Sequence, residues 1–288
     1  MEDIRRKMID RPKFNELIKE DIDKDGPENY DLVQLKMDGI WGCMVVKDGQ
    51  WSMYSRTGKL KADGDLEEHA NLDVILLGEY MIGSHWGHKM GIDGEYFVFD
   101  CVRFNGEDIK HEPYANRKRL AESVVTGLLP QIMDSTWIHT LATFESHEWQ
   151  EVWETYVVGK GYEGLVFKDS ESSYSQKNAW ARLKTVVELE YICHSFRPAD
   201  EGTRYEGQVG AVIGTLNDKE VFVTCGGLTD KQRREYTDNG EDYIGKVFTA
   251  KGNGWYPSGS IRHPKFKGWR DDKRADECSI EQIPNTMR

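Results

Sequence analysis

DLVQLKMDGIWG, residues 31–42, decides how the rest of the chain is read. Asp31–Leu35 has the apolar alternation of a strand, and Trp41–Val46 opens another. Between them, Lys36-Met37-Asp38-Gly39 puts a lysine at a strand end, before a break. A lysine so placed sits at the floor of a cleft between strands. There burial and neighbouring cations can lower its pKa and free a nucleophilic amine. Downstream, Lys47-Asp48-Gly49 turns Trp41–Val46 back onto a strand at Gln50–Ser55, because Asp-Gly suits a tight hairpin turn.

Working outward, Val74–Ile82, Glu95–Val102 and Tyr162–Lys168 are predicted strands, rich in β-branched and aromatic residues. Glu112–Val125 and Ser146–Val158 have helical spacing. After about Glu188 the texture changes to short strands (Glu190–Ser195, Gln208–Leu216, Glu220–Cys225, Lys246–Lys251) around one helix, Thr229–Thr237. Short strands with a single helix in about 100 residues suggest a small closed barrel of the oligonucleotide-binding kind. The expected fold class is therefore α+β, in two domains, 1–188 and 189–288.

At 288 residues the chain can bury a substantial core, and 38% apolar with 11% aromatic content excludes a disordered polymer. Val74-Ile75-Leu76-Leu77 is the longest clean aliphatic run, far below the roughly 20 residues of a membrane span. No apolar stretch near the N-terminus could act as a secretory signal. Five cysteines, widely spaced and never CxxC, argue for reduced thiols in a cytoplasmic setting. The net charge of −12 is uneven: residues 1–188 carry −11 and residues 189–288 only −1. Gly259–Arg274, GSIRHPKFKGWRDDKR, carries +4. Screening confines distant charges to within about 10 Å, so a local basic face can still hold a polyanion.

Lys36 does not stand alone. In order follow Ser55-Arg56-Thr57-Gly58, Leu77-Gly78-Glu79, Phe97-Val98-Phe99-Asp100, Glu163-Gly164-Leu165-Val166-Phe167-Lys168, Trp180-Ala181-Arg182-Leu183-Lys184 and Arg270-Asp271-Asp272-Lys273. This series, from about residue 30 to 275, resembles the six motifs of the covalent nucleotidyltransferases. Those are the ATP-dependent DNA ligases, RNA ligases and messenger RNA capping enzymes. Gly210-Ala211-Val212-Ile213, Cys225-Gly226-Gly227-Leu228-Thr229-Asp230 and Gly259-Ser260-Ile261-Arg262-His263-Pro264-Lys265-Phe266 are similar to barrel-domain signatures of the ATP-dependent DNA ligases, in the compact two-domain form of bacteriophage and viral enzymes.

The resemblance implies a nucleotidyltransferase domain of antiparallel sheets flanked by helices, followed by an OB-fold barrel. It implies an enzyme that seals 5′-phosphate/3′-hydroxyl nicks in duplex DNA, for replication, repair or recombination. ATP and Mg²⁺ (with Mn²⁺ able to substitute) would be its cofactors. The expected form is a monomer with no membrane partner, cytoplasmic, in the host cytoplasm if phage-encoded. Lys36 would attack the α-phosphorus of ATP and hold AMP as a phosphoramidate. Gln34 and Leu35 would meet the base, Phe99 would stack on adenine, and Glu79 would contact ribose and help Glu163 hold metal. Arg182 and Lys184 would contact the α-phosphate, Arg56 the nick 5′-phosphate, and Arg270, Asp272 and Lys273 the pyrophosphate of ATP.

Two positions depart from the family pattern. Gln34 stands where glutamate commonly accepts from the adenine amino group, and its carbonyl can do the same. Trp41 stands where KxDGxR has arginine, either packing while another cation substitutes or marking altered nucleotide or nick recognition. The competing expectations are an RNA ligase or capping guanylyltransferase, and a decayed ligase kept as a nucleic-acid-binding module.

Overall fold

The computed structural model describes residues 14–17, 19, 22, 26–67, 71–174, 176–218, 221–254 and 261–282. The chain divides into two compact units, the first ending at Lys184 and the second beginning at Thr185.

The first unit contains β1 (Phe14–Leu17), β2 (Leu32–Lys36), β3 (Ile40–Lys47), β4 (Gln50–Ser55), β5 (Leu60–Asp65), β6 (Val74–Tyr80), β7 (Tyr96–Phe104), β8 (Glu107–Asp108), β9 (Ile138–Thr140), β10 (Thr143–Glu145), β11 (Gly164–Lys168) and β12 (Trp180–Lys184). They form two sheets, one ordered β1-β12-β11-β2-β10 and the other β5-β4-β3-β6-β7-β8, with β9 parallel to β7. The β3–β4 hairpin turns on Asp48 and Gly49, both at positive φ (54° and 76°), as the Asp-Gly signal requires.

The run Val74-Ile75-Leu76-Leu77 on β6 is continuous because its sheet is covered on both faces. Val74 and Leu76 join Met44, Val46 and Tyr96 beneath Val124, Val125 and Leu129. Ile75 and Leu77 join Trp41, Cys43 and Tyr174 on the other side. In the smaller sheet, Val33, Leu35, Leu165, Phe167, Ala181 and Leu183 pack on Trp149, Val152, Trp153 and Val157. Alternation along β2 then sends Gln34 and Lys36 to the opposite face, away from that core.

Both predicted helices of this unit are real but irregular. Tyr114–Ser123 is α-helical, begins after Pro113, and runs into a π turn at Val124–Leu128 and a 3₁₀ turn at Leu129–Gln131 containing Pro130. Proline has no N–H to continue an α ladder, so the helix changes pitch there. The stretch 146–158 is a 3₁₀ turn, one α turn and a π turn in succession.

The second unit is a five-stranded sheet of β13 (Val187–Pro198), β14 (Val209–Thr215), β15 (Phe222–Cys225), β16 (Val247–Gly252) and β17 (Lys265–Trp269), ordered β15-β14-β13-β16-β17. A parallel bridge between Gly226 and Lys265 joins the two edges, so the sheet closes into a barrel. Leu189, Tyr191, Val212, Val223, Phe248, Ala250 and Phe266 fill it. The helix Asp230–Asn239 starts in a capping box between Thr229 and Gln232 and contributes Tyr236 to the same core. The fifth strand, β17, is not among those read from the sequence, because a bulge opposite Thr249 and Ala250 puts Phe266 and Trp269 three residues apart, off the strand period of two. Glu220, Gly259 and Ser260 lie outside the described residues. All five cysteines are buried, separate thiols, and burial pushes Cys43, Cys101, Cys193 and Cys225 up to about 12. Among the described residues no helix is long and apolar enough to cross a membrane.

Gly164 is the tightest crossing in the smaller sheet: a Cβ there would lie 2.1 Å from the Leu183 carbonyl oxygen. Because the obstacle is backbone, β11 and β12 must part to admit a methyl group. Gly164→Ala is expected to destabilise the chain by about 3 kcal/mol, read from its denaturant midpoint. An unchanged midpoint would show that the strands can separate there freely.

Candidate active site

Strand register assembles the site. In the smaller sheet Gly164 lies opposite Lys36 on one side and Lys184 on the other. Glu163, immediately before Gly164, therefore meets the last residues of both β2 and β12. Its Oε2 takes the Lys36 ammonium at 2.5 Å and its Oε1 takes that of Lys184 at 2.6 Å. Glu163 is 6% exposed against 21% and 19% for the two lysine side chains, so the carboxylate is the inner member. Burial alone would raise its pKa, but the two ammonium charges outweigh burial and the net shift is downward. Burial lowers Lys184, Lys36 lowers it further, and Glu163 only partly compensates.

Lys36 opens onto a cleft whose empty space, open solvent included, is about 720 Å³. Gln34, Leu35, Met37, Trp41, Glu79, Phe99, Leu141, Val166, Lys168, Trp180 and Arg182 complete the wall. Gln34 is 2% exposed. Its Nε2 donates to Thr143 Oγ1 at 2.8 Å, while its Oε1 is buried with no hydrogen-bond partner among the described residues. A buried acceptor left unpaired costs about 1–3 kcal/mol, so this wall is built to receive a donor. Phe99 is half-buried, edge-on to Trp180 at 5.8 Å, and presents aromatic surface to the same space.

Behind Phe99 lies a group that motif reading passed over. Lys168 is fully buried, its Nζ 3.8 Å from the Trp180 ring centroid and 4.1 Å from that of Tyr114. It donates to Tyr114 Oη at 2.8 Å. Burial pushes its ammonium well below the ordinary value, against the pull of Asp100. Asp100 itself is fully buried in a two-pronged pair with Arg117 (3.0 and 3.1 Å), which fastens the helix Tyr114–Ser123 to β7. Lys168 closes the quoted segment Glu163–Lys168 and Tyr114 stands in a helix; nothing in their spacing marked them. Thr143, Leu141 and Val166 were missed for the same reason.

The other expected residues divide. Glu79 on β6 faces Trp41 across the pairing with β3 and reaches the cleft. Gly39 makes the close approach possible, since a Cβ there would lie 2.6 Å from the Tyr80 carbonyl. Arg182 lines the cleft and is paired with Glu16 on β1. Trp41 is 6% exposed and packed with Ile75, Leu77 and Tyr174, so it is a wall of the cleft. Arg56 is exposed in the β4–β5 turn and does not line the cleft. In the second unit Arg270 is held by Glu190 at 2.8 Å and by Asp272 at 2.7 Å, and its hydrogen bonds lower Asp272 to about 2. Lys273 is exposed in the turn that follows.

A resident metal ion does not fit this donor set. Both oxygens of Glu163 carry lysine ammonium groups, and no group of three His, Cys, Asp or Glu side chains occurs among the described residues. Magnesium held by protein alone would need more oxygen ligands than Glu79 and Glu163 provide.

Residues 84–184 match the ATP dependent DNA ligase domain, and residues 202–270 match the DNA ligase OB-like domain. The DNA ligase of Halorubrum lacusprofundi is 28% identical over 213 residues, covering 65% of this chain and 34% of that protein. The DNA ligase of Enterobacteria phage T3 is 28% identical over 145 residues, covering 44% of this chain and 39% of that protein. The chain thus spans little more than a third of the length of these curated relatives. The solved structure "Pmar-Lig_Pre." superposes with a TM-score of 0.65 over 92% of this chain and 68% of that one, at 21% identity, and so shares its fold. The match to the ATP dependent DNA ligase domain thus falls in the first unit, downstream of Lys36, and the match to the DNA ligase OB-like domain falls in the second unit and includes Arg270.

Proposed function

We propose that the chain seals 5′-phosphate/3′-hydroxyl nicks in duplex DNA, charging itself with AMP from ATP at Lys36. One observation carries this reading: the Lys36 amine and the orphaned Gln34 acceptor lie on one face of one strand, two residues apart. At about 3.3 Å rise per residue, they stand about 6.6 Å apart along β2. A purine amino group on Gln34 then directs the sugar and α-phosphate of the same nucleotide toward Lys36, with Phe99 and Val166 beside the base.

In the first step the Lys36 ammonium gives up a proton to solvent, the freed amine nitrogen forms a bond to the α-phosphorus and loses its second proton, and the bond from that phosphorus to the β-phosphate oxygen breaks, releasing pyrophosphate. The AMP then passes to the 5′-phosphate at the nick, freeing the lysine. Finally the 3′-hydroxyl attacks that phosphate, loses its proton and displaces AMP. Each displacement crowds negative charge at phosphorus, which the fixed cations Lys184 and Arg182 can offset. Glu163 acts here by holding Lys36 and Lys184 at a common spot. Mg²⁺ would enter with the nucleotide as a counter-ion of its phosphates, offsetting their charge, and Mn²⁺ would be able to replace it. Arg56 is assigned to the nick phosphate, and Arg270 and Lys273 to the leaving pyrophosphate.

Lys36→Ala is expected to abolish transfer of label from α-³²P-ATP to the protein while sparing closure of a pre-adenylated nick. Normal labelling of that variant would overturn the assignment. Glu163→Gln, which cannot pair with two ammonium groups, is expected to slow labelling about 100-fold in single-turnover experiments. Arg56→Ala should weaken binding to nicked DNA and reduce the slope of log K against log salt by about 0.9, with charging of Lys36 retained. An unaltered salt slope would remove Arg56 from the phosphate contacts.

A further inference from the structure

We propose that Thr143 determines which purine the cleft accepts, by holding the Gln34 amide with its oxygen turned inward. The inference rests on reading this cleft as the nucleotide pocket.

A carboxylate at position 34 would present the same face whichever way it sat. An amide does not: it has an acceptor end and a donor end of nearly equal shape, and rotation by a half-turn exchanges them. A purine carrying a 6-amino group offers a donor, whereas one carrying a 6-oxo group offers an acceptor. The orientation of Gln34 is therefore the discriminating feature, and something must fix it.

Thr143 is placed to do so. It lies directly opposite Gln34 in the β2–β10 pairing, where side chains of facing residues share one side of the sheet. Its hydroxyl lies 3.4 Å from the Leu141 carbonyl, an acceptor toward which its proton can turn. Thr143 Oγ1 is then left as an acceptor, and the Gln34 nitrogen donates to it at 2.8 Å. That leaves Oε1 inward, buried and without a partner among the described residues. Burial and the Asp100 charge push the Tyr114 phenol up, and Gln34 acts on it in the opposite sense, as a donor does. The nitrogen end is thus held by Thr143. With the oxygen inward, a 6-amino purine is hydrogen-bonded and a 6-oxo purine meets lone pair against lone pair, leaving two acceptors unpaired.

The test compares initial rates of covalent labelling of the full chain by α-³²P-ATP and α-³²P-GTP at subsaturating nucleotide with Mg²⁺. The wild-type chain should favour ATP strongly. Thr143→Val removes the acceptor, and the ATP:GTP ratio should fall about tenfold, the worth of one hydrogen bond. Thr143→Ser, which keeps the hydroxyl, should keep the ratio. Adding Gln34→Glu to Thr143→Val should restore the preference for ATP, since a carboxylate has no donor end. Thermal unfolding identifies any variant that does not fold, and Thr143→Ala then takes the place of Thr143→Val. A ratio in Thr143→Val or Thr143→Ala equal to wild type overturns the inference. Failure of the wild-type chain to label with either nucleotide instead overturns the assignment of the cleft.

Discussion

Everything at the site depends on one carboxylate between two ammonium groups. Two lysines cannot be brought together in a half-buried place without an anion to offset their repulsion, and Glu163 supplies it from the inner position. The arrangement is fixed by backbone register. Gly164 must face both Lys36 and Lys184 for Glu163 to reach both, and only the absence of a side chain at 164 lets β11 come that close to β12. A carboxylate so held contributes stability above the pKa it has in the unfolded chain. That contribution is lost as pH falls through its lower folded value, so the triad persists through the neutral range.

The same strand builds core and chemistry at once. Val33 and Leu35 face Trp149 and Trp153, so β2 cannot slip by one residue without burying a lysine and exposing two aliphatic side chains. The hydrophobic register that secures the fold therefore also sets Gln34 and Lys36 on the cleft. β6 shows the same economy: its apolar side chains go to two cores, and Glu79 enters the cleft beside Gly78, where a Cβ would strike the Phe97 carbonyl.

What could be read from the sequence was what depends on local pattern. Apolar pattern gave β2, the Asp-Gly pair gave the β3–β4 hairpin, the continuous β-branched and aliphatic run gave β6, and the ordered motifs brought Lys36, Glu79, Phe99 and Arg182 to one cleft, with Glu163 and Lys184 beside Lys36. What escaped depends on distant contacts. Thr143 matters because β10 pairs with β2 across more than a hundred residues, and β10 is only three residues long. Lys168 reads as a surface charge until Tyr114 and Trp180 close over it. The helical stretches were foreseen, but their π turns follow from packing and from Pro130.

Under the proposed function, the distribution of charge bears on how an acidic chain would take up polyphosphate substrates. Lys36 and Lys184 are paired with Glu163 and Arg182 with Glu16, while Arg270 is paired with Glu190 and Asp272. None of these cations presents an isolated charge to solvent, so attraction of a polyanion from a distance is weak, as a net charge of −12 would also suggest. A phosphate group gains only once it is close enough to share a cation with the resident carboxylate. Recognition is thereby shifted from long-range steering to contact. In the nucleotide reading proposed above, affinity would then depend on geometry within the cleft, whose wall includes Trp41, Phe99 and Val166.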